Sequence, residues 1–192
     1  MASAFPGPSE VEGSRPYIAG AADVTVDTRQ DPTFPRNAIH ATLGVGRLKA
    51  ASTAATDLRG YIGLAGPVVL ALRAQGSFAS AALPRFEQPL VGGTDSLRGY
   101  RGGHQAGDSM SAISAELRMP VTSPLTFARF GVRAFADAAA AWPHGESIRK
   151  QQFDRGIGGG LFFGATLLTG GVDVAWPERG KPRVHAQLGL AF

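Results

Sequence analysis

The sequence predicts an all-β, antiparallel fold of about eight or nine strands, built either as a transmembrane β-barrel or as a soluble sandwich. Three observations carry this. Apolar and polar residues alternate with a period of two along nearly the whole chain, the spacing of a strand with one face in an apolar medium. No segment shows a convincing amphipathic helix. No apolar run approaches the roughly 18–20 residues of a membrane-spanning helix, although 44% of the 192 residues are hydrophobic.

Residues 1–16 hold three prolines, three serines and two glycines and read as an extended or disordered leader ahead of a domain over 17–192. In 17–29, Ile18, Ala22, Val24 and Val26 share one face, while Asp23, Thr25 and Asp27 share the other. In 39–46, Ile39, Ala41, Leu43 and Val45 oppose His40, Thr42, Gly44 and Gly46. The link between them, DTRQDPTFPRN, is rich in turn formers, so the two segments read as a hairpin. Segment 57–64 sets Leu58, Ile62 and Leu64 against Asp57, Arg59 and Tyr61, and 68–78 sets Val68, Leu70 and Leu72 against Arg73, Gln75 and Ser77.

Beyond a glycine-rich loop, 112–119 places Ile113, Ala115, Leu117 and Met119 opposite Ser114, Glu116 and Arg118. Segment 127–141 places Phe130, Val132, Ala134 and Ala136 opposite Arg129, Arg133 and Asp137. Segment 155–165 has Ile157, Leu161 and Phe163 on one face and mainly glycine on the other. Val172 and Val174 oppose Asp173, and the last strand sets Val184, Ala186, Leu188, Leu190 and Phe192 against Arg183, His185 and Gln187.

One face is thus apolar throughout, and the other carries Asp, Glu, Arg and His at mid-strand. In a sandwich the apolar faces meet each other and the charges meet water. In a membrane barrel the apolar faces meet lipid and the charges line a wet lumen. Period alone does not choose between the two. Two features favour the membrane: the apolar face of the last strand continues to the terminal aromatic, and glycine and alanine crowd the polar face, as a filled lumen requires.

Composition narrows the function classes. The chain has no cysteine, which excludes disulfides and thiolate metal sites. Its histidines (40, 104, 144 and 185) show no metal-ligand spacing, and no metal or cofactor is expected. The net charge of +4 comes from scattered rather than clustered basic residues, which argues against nucleic-acid binding. The N-terminus lacks the basic and apolar regions of a secretory signal.

The most informative stretch is VGGTDSLRGYRGG, residues 91–103. It is too long and too glycine-rich for a hairpin turn, and its glycines permit compact, positive-φ backbone. Such a loop can fold back and carry its tip, with Arg98, into a cavity. The strands that follow offer Glu116 and Asp137 as partners on their polar faces. A guanidinium in a confined, partly dry lumen is costly unless paired, and its fork of donors can serve two carboxylates.

Six pieces, in order, resemble the C-terminal part of the bacterial surface antigen barrel, the Omp85 superfamily of outer-membrane assembly and secretion proteins. VDTRQDPTFP resembles its Asp-Thr-Arg-Asp…Pro hairpin. VGGTDSLRGYRGG resembles the Val-Arg-Gly-Phe/Tyr signature of its long sixth extracellular loop, with Leu97 in place of the usual Val or Ile. SAELRMP resembles the Glu-bearing strand after it. AFADAAAAW resembles the next, Phe-x-Asp-x-Gly, with Ala139 where glycine is common. GIGGGLFFGATLLTGGVDVAWP resembles the glycine-rich strand and its Asp-bearing partner, and HAQLGLAF resembles the terminal insertion signal.

The resemblance implies an outer-membrane barrel, bacterial or organellar of bacterial type, that mediates insertion or transport of proteins. It implies a lumenal latch of Arg98, Gly99, Tyr100, Glu116 and Asp137, in which Gly99 turns the backbone and Tyr100 packs on the wall. It also implies a C-terminal insertion signal carried by Gln187, Gly189, Leu190 and Phe192. The implied partners are outer-membrane lipid, the barrel assembly machinery, and client outer-membrane or secreted proteins. Family barrels have about sixteen strands, so the chain corresponds to a C-terminal half: a fragment, or a small relative completed by association. Two other readings stand beside this one, a passive membrane anchor or channel for a passenger domain and a soluble β-sandwich binding module.

Enzymatic readings fare poorly. Asp95, Ser96 and His104 imitate a catalytic triad but lie in one flexible, solvated loop, and GTDSL is not a nucleophile elbow. GIGGGLFFG imitates a dinucleotide fingerprint without its strand–turn–helix setting. No catalytic site is assigned.

Overall fold

A computed structural model describes residues 19–48, 51–121, 128–165 and 168–190. The leader, 1–16, and Phe192 lie outside them. The strands are β1 (Ala19–Asp27), β2 (Ala38–Leu48), β3 (Ala51–Gly63), β4 (Val69–Ala79), β5 (Leu90–Val91), β6 (Gln105–Ala106), β7 (Ser109–Val121), β8 (Ala128–Trp142), β9 (Asp154–Ala165), β10 (Leu168–Pro177) and β11 (Arg183–Leu190). Nine of them form one antiparallel sheet in the order β1-β2-β3-β4-β7-β8-β9-β10-β11, and β5 and β6 pair with each other inside the long loop. Each main strand pairs with its neighbour in sequence, as a meander of hairpins does.

Because every step across the sheet is antiparallel, β1 and β11 run in the same direction. Direct closure of one on the other would be a parallel pairing. An all-antiparallel barrel therefore requires an odd number of further strands between these two edges.

The alternation sorts side chains as the sequence suggests. Leu43 on β2 is 60% exposed, Leu161 on β9 63% and Leu188 on β11 73%. Meanwhile Glu116, Arg133, Asp137 and Asp173 are buried on the concave side. This is the reverse of a water-soluble fold, and one sheet layer carries it, with no second sheet over the apolar face among the described residues. The sandwich reading fails here, since it needs two stacked sheets that hide their apolar faces from solvent. The exposed apolar belt matches the lipid-facing surface of a transmembrane barrel.

Register places the functional side chains. Across the inner wall Arg73 stands opposite Ser114, Ser114 opposite Asp137, and Asp137 opposite Gly156. A second row runs from Arg118 through Arg133 and Gly160 to Asp173 and His185. The link 28–37 between β1 and β2 does not project outward. Its Asp31 carboxylate accepts from the backbone of Thr33 and Phe34 and pairs with Arg129 on β8, and the Phe34 ring sits 5.7 Å from Phe162 on β9. Arg36 donates to the carbonyls of Leu64 and Val68, which ties this turn to the one between β3 and β4.

The chain has no native cysteine, so single cysteines can report the two faces. A polarity-sensitive fluorophore on Leu43→Cys or Leu161→Cys should be quenched by spin-labelled lipid in vesicles. The same label on Gln75→Cys or Gln187→Cys should respond to aqueous iodide instead. Identical quenching at all four sites would contradict the assignment of faces.

Candidate functional site

The long loop between β4 and β7 turns into the concavity and crosses it. On one side Arg73 of β4 donates to the backbone carbonyl of Asp95 at 3.0 Å. On the other, the Gly99 backbone N–H donates to Nε2 of His185 on β11 at 2.9 Å. Residues 95–99 thus bridge the sheet from β4 to its last strand. The His185 nitrogen that accepts this bond cannot carry a proton, so the proton of the neutral ring sits on Nδ1. Gly99 has φ of +95°, and a Cβ there would lie 3.0 Å from the Pro177 nitrogen.

Arg98 occupies the middle of the bridge. Its Nε and Nη2 make a bidentate pair with the two oxygens of Asp137, each at 2.8 Å. Its Nη1 donates to Glu116 at 2.6 Å, and its backbone N–H donates to Asp137 at 3.1 Å. The Ser114 hydroxyl accepts from Arg98 Nη2 and donates to Asp137. The guanidinium lies 3.4 Å from the centroid of the Phe135 ring, a cation–π contact strengthened by burial. Beside it Arg133 holds Asp173 in a second bidentate pair at 2.7 and 2.9 Å, and Arg118 donates to the other Glu116 oxygen at 2.7 Å. Three guanidiniums meet three carboxylates, so the charge in the confined space balances.

The glycine face of β9 makes the room. Gly156 faces the Arg98 carbonyl, and no Cβ fits between them. At Gly158 a Cβ would meet the Phe135 ring, and at Gly160 the Asp173 carboxylate. Three inward glycines in a row thus form a trough that receives the loop backbone, the ring beneath the guanidinium and the acid of the second pair.

The rest of the loop packs as a small core of its own. Val91 and Leu97 are fully buried and cluster with Tyr100, Met110, Ala112 and Ala139. Burying a side chain such as Leu97 contributes roughly 1.5–3 kcal/mol. Ala139, on β8, forms part of the wall that Leu97 and Tyr100 pack against. At the loop base the Asp108 carboxylate accepts from the backbone N–H groups of Leu83 and His144 and from the Gln88 amide. Burial pushes the Asp108 carboxyl up, but these three donors outweigh it and hold its pKa below the ordinary 3.8.

The sequence pattern of the Omp85 superfamily domain matches residues 15–192. The chain belongs to the Omp85 superfamily. Its fold is similar to the crystal structure of BamA from Haemophilus ducreyi lacking POTRA domains 1-3, with a TM-score of 0.71 at 18% identity. The likeness covers 89% of this chain and 42% of that one, so this Omp85 chain spans less than half the length of the BamA chain it matches. No curated protein matches it.

The structure brings Arg98, Gly99, Glu116 and Asp137 together at one point, with Tyr100 in the apolar cluster beside them. Gln187 is on β11 and lines the lumen, while Gly189 and Leu190 continue that strand opposite Thr169 and Leu168. The imitation triad is not assembled. The Ser96 hydroxyl bonds the backbone of Gly92, whereas His104 pairs with Asp154 at 2.9 Å. The expectation of a solvated stretch there is corrected: Ser96 is buried, because its hydroxyl staples the loop's inner turn. The sequence reading did not identify Arg73, Ser114, Arg118, Arg133, Asp173, His185 or Phe135 as partners. Each was visible as a mid-strand residue of the polar face or as an aromatic, but only register shows what it meets.

Two outcomes are expected of the loop. Removing one partner from a buried ion cluster leaves the others uncompensated, so Arg98→Ala should lower unfolding stability by about 3–5 kcal/mol. Gly156→Ala should displace the Arg98 backbone and cost about 1–3 kcal/mol. Denaturant titration of the refolded protein measures both, and parent-like midpoints would refute the arrangement. The Asp108 contribution is complete above pH 3.8 and is lost as pH falls through the depressed folded value. Protease protection of residues 80–108 should therefore fall at acid pH in the parent. In Asp108→Asn it should already be reduced at neutral pH, with a flatter acid dependence.

Proposed function

We propose that this protein is the membrane barrel of an assembly or translocation device of the bacterial outer membrane, handling other outer-membrane or secreted proteins. The observation that carries the reading is the loop pinned across the lumen by Arg98. A segment laid across the path narrows a passive pore, and its buried ion pairs do more than that: they brace the wall from within, as a device that must open its wall requires. The pin joins the loop to β7 and β8, and its neighbours Arg133 and Asp173 extend the brace to β10. Membership of a superfamily of assembly and secretion barrels supports the same reading.

In this reading Arg98, Gly99, Tyr100, Glu116 and Asp137 act as a latch. The C-terminal segment, with Gln187, Gly189, Leu190 and Phe192, is the signal by which the barrel assembly machinery recognises the chain, through strand pairing. The apolar belt contacts outer-membrane lipid.

Depletion of the full-length protein in its source cells provides the test, read by quantitative proteomics of the outer membrane. Several unrelated β-barrels should decline together, and an Arg98→Ala copy should fail to restore them. Loss of a single displayed passenger, or of small-solute permeability alone, would favour the passive anchor or channel and overturn the proposal.

A further inference from the structure

The inner wall sets arginines directly opposite one another. Arg59 on β3 stands directly opposite Arg73 on β4, and Arg118 on β7 directly opposite Arg133 on β8. Like charges facing each other across a strand pair are destabilising, and the lumen contains two such pairs. Asp57 serves both Arg59 and Arg73, at 2.6 and 2.7 Å. Arg29 pairs with Asp27 at 2.7 Å. Arg98, Arg118 and Arg133 share Glu116, Asp137 and Asp173. Two guanidiniums thus share one carboxylate at the Asp57 group, and Asp95 on the loop tip lies on the same cavity as Arg59.

Free donors point the same way. Arg59 uses Nε and Nη2 on Asp57, and Arg118 uses only Nε on Glu116. Among the described residues, no acceptor meets Nη1 of Arg59 or either terminal nitrogen of Arg118. Both side chains line one cavity of about 620 Å³, together with Arg29, Arg133 and Tyr61. That volume lies within the roughly 300–1,000 Å³ of small-molecule sites. Among the described residues, the acid on its lining is Asp95, at the loop tip. Arg118 lies 5.8 Å from the centroid of the Tyr61 ring, which holds its guanidinium over the wall.

We propose that this part of the lumen is a binding site for an oxyanion of the phosphate type, held by Arg59 and Arg118, with Tyr61 as its floor and Arg29 at its rim. Such an anion would fill the open forks and ease the repulsion within the two arginine pairs. The inference does not depend on the assembly role. A phosphate group could come from a soluble compound or from a lipid headgroup entering from the open end of the lumen.

The experiment uses the full chain refolded in maltoside micelles, titrated with inorganic phosphate at constant ionic strength against chloride. Saturable binding by calorimetry is expected, with at least a tenfold loss of affinity in Arg59→Gln and in Arg118→Gln. Lys181→Gln, which removes one exposed loop charge, should bind like the parent. Competition by phosphatidylglycerol doped into the micelles would identify the lipid headgroup as the source, and absence of competition a soluble phosphate. Either supports the site. No saturable binding by the parent, or undiminished binding by both folded glutamine variants, overturns it. The parent titration alone decides the matter if a variant does not refold.

Discussion

The burial of one guanidinium organises this structure. A charge in a confined space is strongly disfavoured unless its hydrogen-bonding capacity is met by opposite charge. Arg98 meets that condition through Asp137, Glu116 and Ser114, and it rests on the face of Phe135. Each contact imposes a further demand. Asp137 and Ser114 must face each other across β7 and β8, which fixes the register of that hairpin. The Phe135 ring must lie flat, which requires Gly158 beneath it. The backbone carrying Arg98 must approach β9 closely, which requires Gly156. The glycine-rich strand is therefore less a flexible element than a mould for what lies on it.

Stability is distributed unusually as a result. The wall has its apolar side chains outside, where lipid replaces a protein core, and its inner face is held by ion pairs and hydrogen bonds. The apolar packing that exists inside belongs to the loop, through Val91, Leu97 and Tyr100. A second contact set sits at the opposite end of the strands, where turn 28–37 reaches β8 and β9 through Asp31, Arg129, Phe34 and Phe162. Chain segments near both ends of the strands thus converge on β8.

Much of this was legible in the sequence, and the parts that were not share a physical cause. A period of two identifies which face of each strand is apolar without knowledge of its neighbours, so the outward set from Val24 to Leu188 could be read directly. Arg98 could be singled out because glycines surround it within a recognisable order of motifs. Arg133 and Asp173 are forty residues apart and meet only because Gly160 lies between them in the sheet. The inward fold of 28–37 was equally hidden. A proline-rich link reads as a turn, and nothing local says that Phe34 will find Phe162. Pairing register and loop direction are non-local, and alternation carries no information about either.

The bracing is uneven, and the unevenness bears on function. From β7 to β10 the inner wall is cross-linked by buried bidentate pairs. At β11 the link to the loop is the hydrogen bond from Gly99 to His185, and Val184 and Leu188 are among the most exposed apolar residues. The far edge of β11 has no partner strand among the described residues. An unpaired edge presents backbone groups that must find water, a closing strand or another chain. The inner wall is thus cross-linked by buried side chains up to β10, while β11 is held by its backbone ladder to β10 and by the loop contact at His185. In the proposed reading, the last strand can shift along its ladder without disturbing the ion cluster that fixes the shape of the wall.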